Sequence, residues 1–335
     1  MGNAVFDPID AYSRGFAGCR PNPLADERFA DSIIRMGGNP DGGEVAHEWE
    51  FADAGKGKLT LLSPVVDKVF SGCWPGPTQL FGDCVGKGCA NALLTSLSLE
   101  INDGRPDEVT GHVEEAPELP REGVLNVPIA SESLFAWRGF DDDGWSCSAA
   151  AETATKKGFL VRKPYPELGF DLTRYTEQTI RLGGRKLPGD KWLAESSKHV
   201  ARTATFLKGR EQVRDFLFRG YGIFNCSSMG FERTRNEDGV SRQIGTWQHS
   251  QIYIGYDDRP ETHEKYGQAL VAWLNSWNVW NKGPRGVRGM PGLEIPEGAF
   301  WALANTIDRA QNIALSSVAG WPRRKHTTYG AKGNV

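Results

Sequence analysis

The chain of 335 residues lacks the features that mark several common protein classes. It contains no run of about 18 consecutive apolar residues, so the sequence predicts no membrane-spanning helix and no membrane partner. A net charge of −3 without a long basic stripe argues against a dedicated nucleic-acid binder. The first residues carry no basic segment followed by an apolar run, so no signal peptide and a cytoplasmic location are predicted.

Cysteine is also sparse, with six residues spread through the chain and no CxxC pair. Zinc sites are usually built from such closely spaced pairs, so we expect no structural metal site. A large chain without an export signal favours reduced thiols over a framework of disulfides.

The composition and the hydrophobic pattern of the sequence change along the chain. Residues 1–70 are rich in Gly, Asp and Pro and are interpreted as an N-terminal extension of the main domain, 71–320. A polar tail follows at 321–335. Within the main domain, helical patterns dominate from about 78 to 200, and short β-branched and aromatic runs dominate from about 201 to 320. We therefore expect a helical unit followed by a β-rich one.

The clearest predicted helix covers 83–101, DCVGKGCANALLTSLSLEI. Asp83 is the predicted N-cap, which puts Cys84 in the first turn. Unpaired backbone N–H groups and the helix dipole stabilise a thiolate at such a position. Cys84 is therefore the candidate nucleophile. The alternative, Cys89, lies over a turn further along on the apolar face, where core packing explains it better.

A thiol nucleophile needs a base, and imidazole is the side chain that transfers protons near neutral pH. Of six histidines, His249 alone begins a predicted strand, in TWQHSQIYIGYDD. A partner must fix its ring, and Asn275 in WLNSWNVWNKGP is the candidate, with Trp277 as a shield from water. The alternative is a structural histidine at a strand start beside a tryptophan-rich core segment.

Taken together, the order of Cys84, the His249 segment HSQIYIGY and the Asn275 segment NSWNVWN resembles the papain family of cysteine peptidases, whose motifs are HAxxxxGY and NSWGxxWG. The family carries a glutamine before the nucleophile as an oxyanion donor, and Gln79 matches it. Around the nucleophile this chain has FGDCVGKGC where the family usually has CGSCW. The resemblance implies an α+β papain-like fold of two lobes and hydrolysis of peptide or protein substrates. It implies no metal and no organic cofactor.

The resemblance also extends to the predicted substrate cleft. Gly144 and Trp145 match a glycine-containing stretch that lines the cleft in the family, which implies a substrate-binding role. The alternative for Trp145 is a packed core tryptophan. Residues 1–70 stand where the family carries its inhibitory pro-segment.

Four further segments, among them SESLFAWRGFDDDGWSCSAAAETATKKGFL and YGIFNCSSMGF, resemble a prokaryotic and tailed-phage branch of papain-like proteins. That branch implies a virion-associated alternative location and other virion proteins as partners. Two alternative functions stay open. One is a virion structural protein that keeps the fold with little turnover, and the other is an amidase that acts on cell-wall peptides.

Overall fold

The computed structural model describes five parts of the chain: 18–35, 52–104, 127–287, 294–318 and 321. The predicted polar tail lies outside the described residues apart from Trp321, and the first 17 residues of the predicted extension lie outside them as well.

Helices occupy mainly the first part of the main domain. Their bounds are α1 Pro23–Arg35, α2 Ser63–Val69, α3 Cys84–Asn102, α4 Ser131–Phe135, α5 Cys147–Lys156, α6 Glu177–Ile180, α7 Asp190–Ser196, α8 Gly209–Phe218 and α9 Pro260–Tyr266. Short 3₁₀ turns lie at Pro166–Leu168 and Ala304–Arg309. None of the helices within the described ranges has the length and apolarity needed to cross a bilayer.

Strands dominate the second part. Their bounds are β1 Leu59–Leu61, β2 Pro164–Tyr165, β3 Phe170–Asp171, β4 Thr203–Leu207, β5 Gly222–Phe231, β6 Gln243–Asp257, β7 Leu270–Leu274, β8 Ala299–Leu303 and β9 Ala310–Ser316. β2 and β3 form a small hairpin, and the others form one sheet in the order β4-β9-β5-β6-β7-β8, with β1 paired to the end of β6. All of these pairings are antiparallel.

The central strands are buried on both faces, which explains their near-continuous apolar runs. Along β6, Ile252 and Ile254 pack in the core that contains α3, whereas Tyr253 packs in the core on the opposite face with α8. β7 alternates in the same way, with Ala272 on the α3 side and Trp273 on the other. The second half of β6 is accordingly buried throughout.

Residues 130–192 include α4 and the start of α7 and form a small core of their own, with Trp137, Leu160 and Trp192 among its members. Deep in this region, the Arg162 guanidinium donates to both carboxylate oxygens of Glu132 at 2.9 Å, so each buried charge has a partner. The predicted α+β fold of two lobes, helical first and β-rich second, is confirmed. α3 lies between the lobes, and its N-terminus faces β6.

Candidate active site

Cys84 is the first residue of α3, and its side chain is fully buried. Two glycines in the sequence VGKGC let α3 approach its neighbours closely, Gly88 toward the sheet and Gly86 toward α4. A Cβ atom on Gly88 would lie 2.4 Å from Ser250 Oγ, and one on Gly86 would lie 3.1 Å from the Ser131 carbonyl oxygen. Glycine at 88 therefore lets α3 lie directly on β6 next to His249.

His249 lies on β6 opposite Ser227 of β5, just before the register of that pairing shifts. Such irregularities in a strand often re-aim a side chain at a functional site. The His249 ring is 2% exposed, and Trp277 stacks on it with ring centroids 4.1 Å apart. The imidazole is therefore held between the sheet and an indole.

Asn275 follows directly after β7 and is buried. Its Oδ1 lies 3.1 Å from His249 Nε2 and also accepts the backbone N–H of Trp277 at 3.1 Å. The bond from Trp277 keeps Oδ1 turned toward the ring, so His249 Nε2 carries the proton that the oxygen accepts. The other ring nitrogen, Nδ1, is left for the thiol.

The Cys84 thiol at the start of α3 interacts with His249 on β6. Burial opposes ionisation of the thiol, but hydrogen bonds with Cys19 and His249 and the charge of His249 lower the pKa of Cys84 well below its ordinary value. In contrast, burial raises the pKa of Cys89, whose Sγ lies 3.9 Å from the Ala150 carbonyl oxygen. The structure thus brings Cys84, His249 and Asn275 together, while Cys89 packs in the core.

Gln79 lies beside this group and is also buried. Its Oε1 accepts from Ser276 Oγ at 2.9 Å and from Trp277 Nε1 at 3.1 Å, which fixes the orientation of the amide. Its Nε2 donates to the Phe81 carbonyl oxygen at 2.6 Å. An amide nitrogen carries two hydrogens, so this bond uses one of the two.

Asp83 stands at the N-cap position but does not cap the helix with its side chain. Both carboxylate oxygens instead accept from Tyr175 Oη at 2.9 Å, and the Lys87 ammonium lies 3.7 Å from the Tyr175 ring centroid. Burial raises the pKa of Asp83 to about 7, against the opposing charge of Lys87. Burial also lowers the pKa of Lys87 to about 8. Asp83 therefore belongs to a buried polar network with Tyr175 and Lys87 and does not act as the predicted side-chain cap.

Gly144 and Trp145 lie close to the segment that leads into α3. The Gly144 N–H donates to the Gly82 carbonyl oxygen at 2.8 Å, and Gly144 has a positive φ of 82°. The Trp145 backbone is engaged by an N-terminal segment: its N–H donates to Gly18 O at 3.0 Å, and its carbonyl accepts from Arg20 N at 2.7 Å. The Trp145 indole is buried and packs edge-on against Phe135.

Residues 18–20 cover the nucleophile. Cys19 pairs in parallel with Trp145. A Cβ atom on Gly18 would lie 1.7 Å from the Gln248 carbonyl oxygen and 3.3 Å from Cys84 Sγ, so only glycine fits there. No sequence motif pointed to this segment, since its contacts are with residues far along the chain.

The expectation that all cysteines are reduced is wrong for two of them. Cys147, at the start of α5, is joined by a disulfide to Cys226 on β5, 79 residues later. The pairing links a helix of the first lobe to a strand of the second, and only the fold brings these distant residues together. Cys19, Cys73, Cys84 and Cys89 are free and buried.

Over the described ranges, one group of three side chains has the spacing to hold a metal ion: the sulfur atoms of Cys19, Cys147 and Cys226 lie within 4.8 Å of one another. Two of these sulfurs are joined in the disulfide. Metal ligation needs free thiolates, so the group as it stands does not fit a metal ion.

A scan against protein-family models finds no match, and a search of curated proteins finds none either. Among solved structures, the chain is similar to xylellain, a cysteine protease from Xylella fastidiosa, with 15% identity over 71% of this chain and 80% of that one and a TM-score of 0.42. It is also similar to procathepsin B S9 from Trypanosoma congolense, with 11% identity, coverages of 91% and 84% and a TM-score of 0.38.

A third similar structure is digestive procathepsin L 3 from the larval midgut of Tenebrio molitor, with 10% identity, coverages of 92% and 97% and a TM-score of 0.38. All three TM-scores are below 0.5. Functional inference for this chain therefore rests on the geometry around Cys84.

Proposed function

We propose that this protein is a papain-like cysteine peptidase that hydrolyses peptide bonds through an acyl-enzyme on Cys84. The observation that carries the proposal is the buried group formed by Cys84 at the start of α3, His249 on β6 and Asn275, whose Oδ1 lies 3.1 Å from His249 Nε2. A thiol at a helix start, with a lowered pKa and an oriented imidazole beside it, is an activated nucleophile.

The reaction would proceed by acyl transfer. The Cys84 thiolate attacks the carbonyl carbon of the scissile amide, and the developing oxyanion is stabilised by the second N–H of Gln79 and the backbone N–H of Cys84. His249 then protonates the leaving amine, and water activated by the same imidazole hydrolyses the thioester. Asn275 keeps the ring in the tautomer and orientation that both steps need.

The geometry around Cys84 supports a substrate path along Gly144 and Trp145. Residues 18–20 occupy this path and bond to both backbone groups of Trp145. A peptide substrate would use the same donor and acceptor after the segment leaves. We therefore interpret the described form as closed, with residues 1–70 acting as an inhibitory extension.

Labelling of Cys84 tests the proposal. A peptidyl electrophile, such as a peptide vinyl sulfone, should modify Cys84 in wild type and still modify it in Cys89→Ser. The rate should stay high at pH values below the ordinary thiol pKa of about 8.5, because the pKa of Cys84 is lowered. Peptide mapping by mass spectrometry identifies the labelled residue.

A variant in which residues 18–20 are displaced tests the reactivity of Cys84 without the segment that covers it. Gly18→Ala should displace residues 18–20, since the new Cβ would lie 1.7 Å from Gln248 O. Labelling and peptide hydrolysis should both rise. Gly189→Ala is the matched control, because a Cβ there meets nothing within 4 Å. A folded Gly18→Ala variant whose Cys84 resists the probe and which cleaves no peptide would exclude the peptidase function.

The finer assignment to a prokaryotic and tailed-phage branch, with other virion proteins as partners, rests on sequence segments alone and is retained as a proposal. Co-purification with assembled phage particles would test it.

A further inference from the structure

Four cysteine sulfur atoms lie at or near residues 18–20: those of Cys19, Cys84, Cys147 and Cys226. Cys19 lies beside Cys84, since a Cβ atom on the preceding residue, Gly18, would lie 3.3 Å from Cys84 Sγ. The Cys19 sulfur also lies within 4.8 Å of both sulfurs of the Cys147–Cys226 disulfide. A free thiol and a disulfide are therefore close together, and the candidate nucleophile lies next to the free thiol.

Nothing in the proposed hydrolysis uses Cys19 or the disulfide. Both are nevertheless placed in the cleft wall: Cys19 is 6% exposed and Cys147 is 1% exposed, and Ser250, the neighbour of His249, has its Oγ 3.9 Å from Cys147 Sγ. Cys226 is partly exposed, so an external thiol can reach the disulfide from that side while residues 18–20 are docked. The exchange between Cys19 and the disulfide is itself intramolecular.

We propose that Cys19 and the Cys147–Cys226 disulfide form a thiol–disulfide exchange site that fastens residues 18–20 covalently over Cys84. The Cys19 sulfur attacks Cys147 or Cys226 as its proton is transferred to the sulfur that the attack releases. The old S–S bond breaks, and the released sulfur leaves as a thiol. One S–S bond forms and one breaks, so no external oxidant is consumed.

The exchange changes what the disulfide holds together. Before exchange it joins α5 to β5. Afterwards it joins the inhibitory segment to one of these elements, and the cross-lobe link is gone. Reduction of the exchanged disulfide by a dithiol would free the segment, so the closed form would be locked under oxidising conditions and released under reducing ones.

Disulfide mapping of the full chain tests the exchange without reference to activity. The protein is incubated in a glutathione redox buffer, its free thiols are blocked with N-ethylmaleimide at acid-quenched pH, and non-reduced peptides are identified by mass spectrometry. Wild type should yield a peptide joining Cys19 to Cys147 or Cys226, together with the original Cys147–Cys226 peptide. Cys19→Ser should yield only the latter.

Cys73→Ser is the matched control, since Cys73 is a buried free thiol outside the cluster, and its map should equal that of wild type. A wild-type map with only Cys147–Cys226 would overturn the proposal. So would a Cys19–Cys84 disulfide, which requires an oxidant, or a chain in which all six cysteines are reduced in the oxidising buffer.

The release of residues 18–20 by reduction is measured separately. Its interpretation as relief of inhibition rests on the proposed function. The rate of Cys84 alkylation should rise more on addition of a dithiol in wild type than in Cys19→Ser. An equal rise in the two proteins would overturn the lock. Absence of peptide hydrolysis in both, with the expected cross-links present, would count against the peptidase function alone.

Discussion

Asp83 is fully buried one residue before the candidate nucleophile, and burial raises the pKa of its carboxyl group from 3.8 to about 7. The folded chain therefore holds a proton that the unfolded chain releases between these two pH values. Stability from this group is fully present below the lower value and is lost as pH rises through about 7.

Asp83→Asn should flatten this part of the pH dependence, because the amide mimics the protonated carboxyl and its oxygen can still accept from Tyr175. The difference in melting temperature between pH 5 and pH 8 should be smaller in Asp83→Asn than in wild type. Glu167→Gln, at an exposed position, is the control and should keep the wild-type slope. Equal slopes in all three proteins would contradict the assigned role of Asp83.

Asn275→Ala would remove the oxygen that accepts from His249 Nε2 and from the Trp277 backbone. With the ring no longer oriented, the rate of peptide hydrolysis should fall roughly ten- to hundred-fold, as is typical when the partner of a functional histidine is lost. Steady-state kinetics on a small peptide give the rate, and circular dichroism checks that the variant is folded. An unchanged rate in a folded variant would count against this role.

Among the structural elements, α3 carries a steric constraint close to the candidate site, at Gly88. Replacement of a helical glycine by alanine ordinarily stabilises a helix by about 1 kcal/mol. Here the new Cβ would lie 2.4 Å from Ser250 Oγ and push α3 away from β6. Gly88→Ala should therefore lower both the melting temperature and the reactivity of Cys84.

The double variant Gly88→Ala, Ser250→Ala removes the clashing oxygen and should recover most of both losses. Ser250→Ala alone is the matched control. Thermal melting and the Cys84 alkylation rate measure the two effects. A double variant as impaired as Gly88→Ala would show that the contact with Ser250 is not the cause.

The elements that could be predicted from sequence are those whose signals are local. The helix predicted at 83–101 is observed at Cys84–Asn102, and the strand predicted at 250–256 lies within Gln243–Asp257. The side-chain cap predicted for Asp83 is absent, because Tyr175, 92 residues away in the chain, takes both carboxylate oxygens. A hydrogen-bond partner so distant in the sequence cannot be predicted from the residues around Asp83.

The candidate site shows the same division. Cys84, His249 and Asn275 could be proposed because each stands at the end of a recognisable element beside a family-like motif. Cys19 could not, since its segment has no regular pattern and acquires meaning only by pairing with Trp145. The disulfide was missed for the same reason: residues 79 positions apart meet through the packing of α5 against the sheet.

For the whole molecule, the Cys147–Cys226 disulfide closes a long loop that contains most of the helical lobe's later elements. Cross-linking residues 79 positions apart should stabilise the fold by roughly 2–4 kcal/mol, chiefly by restricting the unfolded chain. The double variant Cys147→Ser, Cys226→Ser should therefore melt at a lower temperature than oxidised wild type. Addition of a dithiol should bring wild type toward the variant, while Cys73→Ser should behave as wild type.

Residues 18–20 dock on Trp145 as part of the same chain, so the strength of inhibition depends on their covalent attachment as well as on their contacts. A segment attached to the same chain meets its cleft at an effective concentration that is in the millimolar range for short flexible linkers. A free peptide at micromolar concentration competes poorly against such an occupant, whatever its own contacts. The apparent affinity for any substrate is the intrinsic affinity reduced by the fraction of molecules with the cleft open. Two substrates of very different intrinsic affinity would therefore be discriminated to the same degree in the closed and the opened chain, while the rate for both would follow the opening of residues 18–20.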